Sequence, residues 1–290
     1  MIVCYHRSSS LGTLEFCEQK YFLQYNLSLK DKTNKKALMG TITHKVMQTL
    51  GDKKVAMNNK LDIVEDDETG RNLTLDECDD LKLLNDIAFE YYGDAFPEVD
   101  LTEADRRTCL KWAEKAVAYR DGFLDPRNQD VFATELFFDI EIKKSWAKYS
   151  YRVGKEKIDG YLSIKGTVDL IVRHEDNYFE ILDYKTGKRI NWATGEEKTH
   201  EKLQKDTQLL LYYYALRNMY PDAEFFVSIY YINDGGLFSM VFDDDDYKKA
   251  ENILKKKFQY IKKQERPKLL SNDHRHWKCK KLCKFSEPYK

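Results

Sequence analysis

The 290-residue chain is poor in proline, with only five, and it has no internal repeat, low-complexity tract or Pro/Gly-rich linker. No apolar run approaches about 20 residues, which excludes a membrane-spanning helix. The opening residues, MIVCYHRSSS, lack the apolar stretch of a signal peptide. Six irregularly spaced cysteines do not make the disulfide framework of a small secreted domain. Net charge is nearly absent too: 48 Lys+Arg against 49 Asp+Glu leave −1. That balance argues against a uniformly basic nucleic-acid coat. What is present is 42% hydrophobic and 13% aromatic residues, which excludes a disordered chain and allows a proper buried core. These features describe a soluble, cytoplasmic, globular protein with no membrane partner.

The near-zero total hides segregation. Residues 62–105 hold 16 Asp/Glu against Arg71 and Lys82, a net −14. Residues 248–290 hold 15 Lys/Arg against four carboxylates, a net +11. The acidic block reads first as a solvated surface, and alternatively as a partner site or a barrier to nucleic acid. In the basic tail, KKKFQYIKK interleaves cations with aromatics, as polyanion-binding segments do. Polyanion contact is therefore expected on 248–290 and on the Lys185 side of the core.

The first ~125 residues read mainly helical. Ser8–Ser10 can cap a helix carrying Leu14, Cys17, Tyr21 and Tyr25 on one face. Leu38, Ile42, Val46 and Leu50 mark a second helix, Leu81, Leu84 and Ala88 a third, and Leu110, Ala113 and Val117 a fourth closed by Gly122. From residue 131 the pattern changes. VFATELFFDIEI, GTVDLIVRH, NYFEILDYK, EFFVSIYYIND and GLFSMVF are β-branched, aromatic and strand-length, the last two joined at Asp234-Gly235-Gly236. A helix from His200 to Pro221 separates the third from the fourth, and a last helix places acids in its first turn and lysines in its last. The expected fold is α/β, a central mixed sheet flanked by helices plus an N-terminal helical region. The expected division is a helical region at 1–125, a core at 126–265 and a basic Cys-containing tail at 266–290.

The most informative stretch is GTVDLIVRHEDNYFEILDYKTGK, residues 166–188. A three-residue turn at 175–177, with Asn177 left-handed, pairs His174 with Tyr178. Partner numbers then sum to 352 and Asp169 faces Asp183, with Cβ atoms roughly 4.5–5.5 Å apart. Lys185 shares the face of Asp183. Two opposed carboxylates call for a counter-charge, and a hard divalent cation such as Mg²⁺ or Mn²⁺ is the natural one. Lys185 can orient a nucleophilic water or offset charge on a phosphate. The plainer reading is an exposed strand end with an ordinary ion pair.

Several motifs in order sharpen the choice. Gly166-Thr167-Val168-Asp169, Asp183-Tyr184-Lys185-Thr186-Gly187, Gln208…Tyr212, Gly40…His44, and Ser8-Ser9-Ser10 followed by Cys17 and Tyr21 together resemble the RecB-like branch of the PD-(D/E)XK nuclease superfamily. CRISPR-adaptation exonucleases and the mitochondrial genome maintenance exonuclease belong to that branch. The resemblance spans residues ~8–285 and implies a restriction-endonuclease-like core and a metal-dependent DNA nuclease, an exonuclease on ends or single strands in recombination, repair or replication. DNA, and a helicase or recombination protein, are the partners it implies. It makes Asp169, Asp183, Lys185, Gln208 and Tyr212 catalytic residues. It makes His44, Asp169, Asp183 and the Tyr184 carbonyl metal ligands. Gln208 and Tyr212, four apart on a helix, project from one face. Glu135 can join the acidic cluster or sit on an exposed strand, and Lys188 can touch phosphate or only solvent.

Cys17, Cys279 and Cys283 fill three places of an iron–sulfur cluster that many relatives carry. Tyr289 stands where the fourth cysteine belongs, and the C-x-x-C spacing has widened by one. A zinc site with His274 or His276, or plain reduced thiols, are the alternatives. A catalytically silent nucleic-acid-binding or assembly subunit of the same fold competes with the nuclease. Such a protein should have lost Asp169, Asp183 or Lys185, and all three are present.

Overall fold

The structure is a computed structural model that describes residues 1–190, 195–270, 277–283 and 285. Its N-terminal part runs β1 (Tyr5–His6), α1 (Ser8–Phe16), α2 (Glu18–Tyr21), α3 (Lys35–Asn58), the hairpin β2 (Ile63–Asp66) and β3 (Arg71–Thr74), then α4 (Leu81–Ala95) and α5 (Glu103–Val117). It continues with β4 (Val131–Glu141), the hairpin β5 (Lys148–Val153) and β6 (Glu156–Tyr161), β7 (Ser163–Glu175) and β8 (Tyr178–Lys185). The last elements in order are α6 (His200–Leu203), α7 (Thr207–Met219), β9 (Glu224–Tyr231), β10 (Gly236–Val241) and α8 (Asp244–Lys263). The architecture is α/β, a central mixed sheet flanked by helices with an N-terminal helical region.

Three local differences from the sequence reading have physical causes. The first helix breaks at Cys17, whose backbone is extended (φ −165°, ψ 116°), and Ser10 caps from inside the first turn by accepting the Arg7 N–H at 2.9 Å. The helix expected from His200 is split. The Asp206 side chain takes the Gln208 N–H at 2.9 Å, starting α7 afresh. In the β7–β8 turn, Asn177 is not left-handed. Glu175 pairs with Tyr178, and a register shift between Arg173 and Glu175 absorbs the extra residue.

The body of that hairpin keeps the expected register, Leu170↔Leu182 through Arg173↔Phe179. β4 runs antiparallel along one edge of β7 from residue 131 to 141. The other edge of β7 is shared. β8 pairs with it at Leu170–Glu175 and β1 at Ser163–Ile164. Between Ile164 and Leu170 no strand pairs with that edge among the described residues, so the sheet forks there. β8 stays paired in parallel with β9 as far as Lys185.

Side-chain alternation also slips at the fork. Val168 and Ile171, three apart on β7, both pack into the apolar cluster under α7 and α8, and so do Ala133 and Leu136 on β4. A strand of strict period two sends residues three apart to opposite faces. The slip falls in both strands on the row that holds Glu135 and Asp169, and Glu135 takes a left-handed φ of 42°. A glutamate in that region costs about 1–3 kcal/mol, the kind of strain found at functional sites.

On the opposite face α3 crosses the sheet closely. A Cβ on Gly51 would sit 2.5 Å from the Thr134 methyl. Lys45, one residue past His44, is buried and pairs with Asp66 of β2 at 2.6 Å and with Glu68 of the adjoining turn at 3.3 Å. Tyr92 of α4 donates to Glu68 at 2.7 Å. The acidic block is thus partly built into the fold. Its hairpin was not foreseen because only one buried apolar pair, Val64 and Leu73, marks it. Asp66→Ala would leave the Lys45 ammonium with only the longer contacts, Glu68 and the Gln48 Oε1, each at 3.3 Å. The expected loss is about 3 kcal/mol in urea unfolding, the low end for a broken buried pair.

Candidate metal centre and active site

Asp169 is held from two sides at the fork. The Tyr184 N–H donates to Asp169 Oδ2 at 2.8 Å, and His44 Nδ1 of α3 lies 3.3 Å from the same oxygen. Lys185 O accepts from Ile232 N, so the polar backbone groups of Lys185 face β9. Successive residues of an extended strand turn these groups to opposite edges. The Tyr184 carbonyl therefore opens into the fork with its amide. The Tyr184 side chain points away and packs against α5-side apolar residues.

Asp183 is fully buried. Gln208 Nε2 donates to its Oδ1 at 2.9 Å and to the Tyr212 hydroxyl at 2.6 Å, and that hydroxyl lies 3.4 Å from the same Oδ1. The Asp183 Oδ2 forms an ion pair with Lys185 Nζ at 2.5 Å. Burial raises the Asp183 carboxyl above the ordinary range, while Lys185 opposes that shift and Asp169 adds to it. For Lys185, burial works against the charge, yet Asp183 and Asp169 outweigh it and raise its pKa, so the lysine stays cationic. Burial, reinforced by Asp183, also keeps the Tyr212 phenol protonated.

Among the described residues, His44, Glu135 and Asp169 form the one group of three such side chains whose ligand atoms lie within 4.8 Å of one another. Glu135 stands in the row of Asp169, between the pairs Thr134↔Leu170 and Leu136↔Val168. Burial, then the charge of Asp169, pushes its carboxyl up to about 8. The donor set suits a divalent cation. Carboxylates and a carbonyl are the hard oxygens that Mg²⁺ and Mn²⁺ take, and the imidazole shifts the preference toward Mn²⁺. Adjacent ligand atoms of an octahedral ion lie about 3 Å apart, close to the observed spacing of His44 and Asp169.

All five residues read from the sequence as catalytic therefore converge, together with His44 and Tyr184. Glu135, which the sequence left open, joins the ligand group, whereas Asp183, expected as a ligand, is not in it and is held instead by Lys185, Gln208 and Tyr212. Lys45 was missed. A lysine three residues after Ile42 on an apolar stripe was its signal, since such a cation needs a buried acid. Gly40 has a spatial reason as well, because a Cβ there would meet Thr186 Oγ1 at 2.9 Å. The two motifs touch at that point.

The site opens into a cleft of about 540 Å³ lined by His44, Lys45, Glu68, Glu135, Asp169 and Lys185 among others. A second cleft of about 770 Å³ begins at Lys185 and Gly187. The cysteines are apart from this centre. Lys278 donates to the Phe16 carbonyl at 3.2 Å, which brings the chain beside Cys279 to the chain beside Cys17, but these sulfurs do not make a ligand group of the kind found at Asp169. His274 and His276 lie outside the described residues. No described helix is long and apolar enough to cross a membrane.

A fork in a mixed sheet that collects two strand carboxylates, a lysine two residues on and a helical glutamine defines a class of metal-site folds, and comparison with known proteins gives the class a name. The family model of the PD-(D/E)XK nuclease superfamily matches residues 8–287, and the chain belongs to that superfamily. The solved structure of a "putative exonuclease" from Eubacterium rectale is similar, with a TM-score of 0.51 at 12% identity over 94% of this chain and 88% of that one. A second, SSO0001, aligns at 17% identity over 70% of this chain and 78% of that one with a TM-score of 0.31, too low to carry weight. No curated protein sequence matches.

The raised Glu135 pKa predicts a linked pH response. Its protonated form suits the metal-free fold, so that contribution is present below about 4.5 and is lost as pH rises through about 8. A cation reverses the preference. Mn²⁺ should raise the melting temperature more at pH 8 than at pH 6, and Glu135→Gln should flatten the difference. Equal shifts at both pH values would contradict the assignment.

Proposed function

We propose that this chain is a metal-dependent deoxyribonuclease of the RecB-like branch, an exonuclease acting on DNA ends or single strands in recombination, repair or replication. The observation that carries the reading is the convergence of Glu135, Asp169 and Asp183 at the sheet fork, with cationic Lys185 against Asp183. The order of the motifs from Gly40 to Tyr212 supports the branch, since residues from each stand around the same clefts.

Asp169, Glu135, His44, the Tyr184 carbonyl and the free lone pairs of Asp183 would hold Mg²⁺ or Mn²⁺. When bound, the ion polarises the scissile phosphate and acidifies a water ligand. Lys185 supplies positive charge where the phosphate gains negative charge, and its position is set by Asp183. Gln208 and Tyr212 fix Asp183 by occupying Oδ1, which leaves Oδ2 turned to Lys185. No serine or cysteine nucleophile is required.

An iron–sulfur cluster on Cys17, Cys279 and Cys283 draws its support among the described residues from Lys278, which donates to the Phe16 carbonyl and lies over its ring. Visible absorbance and iron content of anaerobically purified protein decide between the cluster and free thiols. The division at residues 126 and 266, and a helicase or recombination partner, belong to the same proposal.

End-labelled linear DNA, single- and double-stranded, should be shortened with Mg²⁺ or Mn²⁺, and closed circles should resist. Lys185→Ala should lower the rate at least about 10²-fold, as for loss of one preorganised charge. Cutting of circles would overturn the exonuclease reading. Binding without any cutting by the wild type would favour the silent subunit instead.

A further inference from the structure

The two clefts that meet at Lys185 differ in charge. The cleft beneath α3 has Lys45 as its one other lysine, and that cation is already paired with Asp66 and Glu68. Its acidic lining is Glu68, Glu135 and Asp169, and it offers no unpaired lysine. The second cleft runs between α1 and the segment leading into α7, and carries Lys185, Lys188, Lys198, Lys202 and Lys205 against Glu15, Glu196 and Asp206. Those three acids are each matched. Glu15 pairs with Lys257 at 2.8 Å, Glu196 with Lys202 at 2.9 Å and Asp206 with Lys198 at 2.7 Å. Lys188 and Lys205 are exposed and have no ion pair among the described residues.

Resting on the nuclease reading above, we propose that this basic cleft is the path of a single nucleic-acid strand, held on one side of the scissile phosphate only. A phosphate chain gains from a lysine-lined groove and releases counterions there. It gains nothing from the other side, where Glu68 and the ligand carboxylates form the walls. The cleft beneath α3 lies within the size range of small-molecule pockets and takes the short terminal segment that is cut away. End-directed cutting then follows from charge, because a strand continuing in both directions would have to cross the acidic wall. The path differs from the one that composition alone favours. On α8, Lys248 and Lys249 are engaged by Asp245 and Asp246 of the same helix, Lys257 by Glu15, and Lys262 by the Lys148 carbonyl, while Lys255, Lys256 and Lys263 have no ion pair among the described residues but line neither cleft.

The test is fluorescence anisotropy of the full chain with a labelled deoxythymidine 20-mer at several salt concentrations without divalent metal. The wild type is compared with Lys188→Glu/Lys202→Glu/Lys205→Glu and with Lys248→Glu/Lys256→Glu/Lys263→Glu on α8, each checked by melting temperature. The cleft variant should bind at least tenfold more weakly, with a log–log salt slope shallower by about 2, the value for three lost phosphate contacts on a single strand. The α8 variant should bind within about twofold of the wild type, a change of at most ~0.4 kcal/mol. Equal binding and slope in the cleft variant, or a loss confined to the α8 variant, overturns the path and leaves the nuclease reading standing. A wild type that neither binds nor cuts overturns both.

Discussion

Glu135 and Asp169 share one row across β4 and β7, where opposed side chains stand about 5 Å apart, and Asp183 of β8 lies just past the last β7–β8 pair, Leu170↔Leu182. Like charges at that spacing weaken a sheet, and the surrounding structure is arranged to tolerate them. β7 and β8 part at this row, both strands beside it slip in alternation, and Glu135 takes a left-handed backbone. The Tyr184 amide and His44 attend Asp169, while Lys185, Gln208 and Tyr212 attend Asp183. Among the described residues Glu135 has no hydrogen-bond partner, and its carboxyl is raised further than that of Asp183. A divalent cation held by His44, Glu135 and Asp169 would supply the balancing charge.

Much of this was legible in the sequence, and for stated reasons. The register of the hairpin body, Leu170↔Leu182 through Arg173↔Phe179, follows from two apolar strands around a short polar break, whereas the expected Asp169–Asp183 pair falls where the strands part. Gln208 and Tyr212 follow from helical spacing. Glu135 could not be placed, because its position depends on β4 pairing with β7 across some 30 residues of intervening chain and on a slip that no local pattern announces. The register end at Glu175 was misplaced by one, since a bulge rather than a left-handed Asn177 absorbs the odd residue. The acidic block was read as surface because charge counting is blind to geometry, whereas Asp66 sits buried on Lys45.

The basic tail raises the same question of geometry. A net charge of −1 conceals both extremes, and the +11 of residues 248–290 drew attention to α8. Several of those lysines face acids on their own helix or on α1, whereas the lysines that line the second cleft beside Lys185 come from the modest stretch between β8 and α7. Position relative to Lys185, rather than charge density along the chain, identifies the cations that can meet a strand.

The most direct measurement of the central claim is an anomalous diffraction map of crystals grown with Mn²⁺. A peak should lie in the fork with Asp169 coordinated at about 2.1 Å, joined by His44 or Glu135, and it should vanish in Asp169→Asn crystals. At saturating Mn²⁺, a fork with no peak, or a peak bound only by residues elsewhere, would contradict the account.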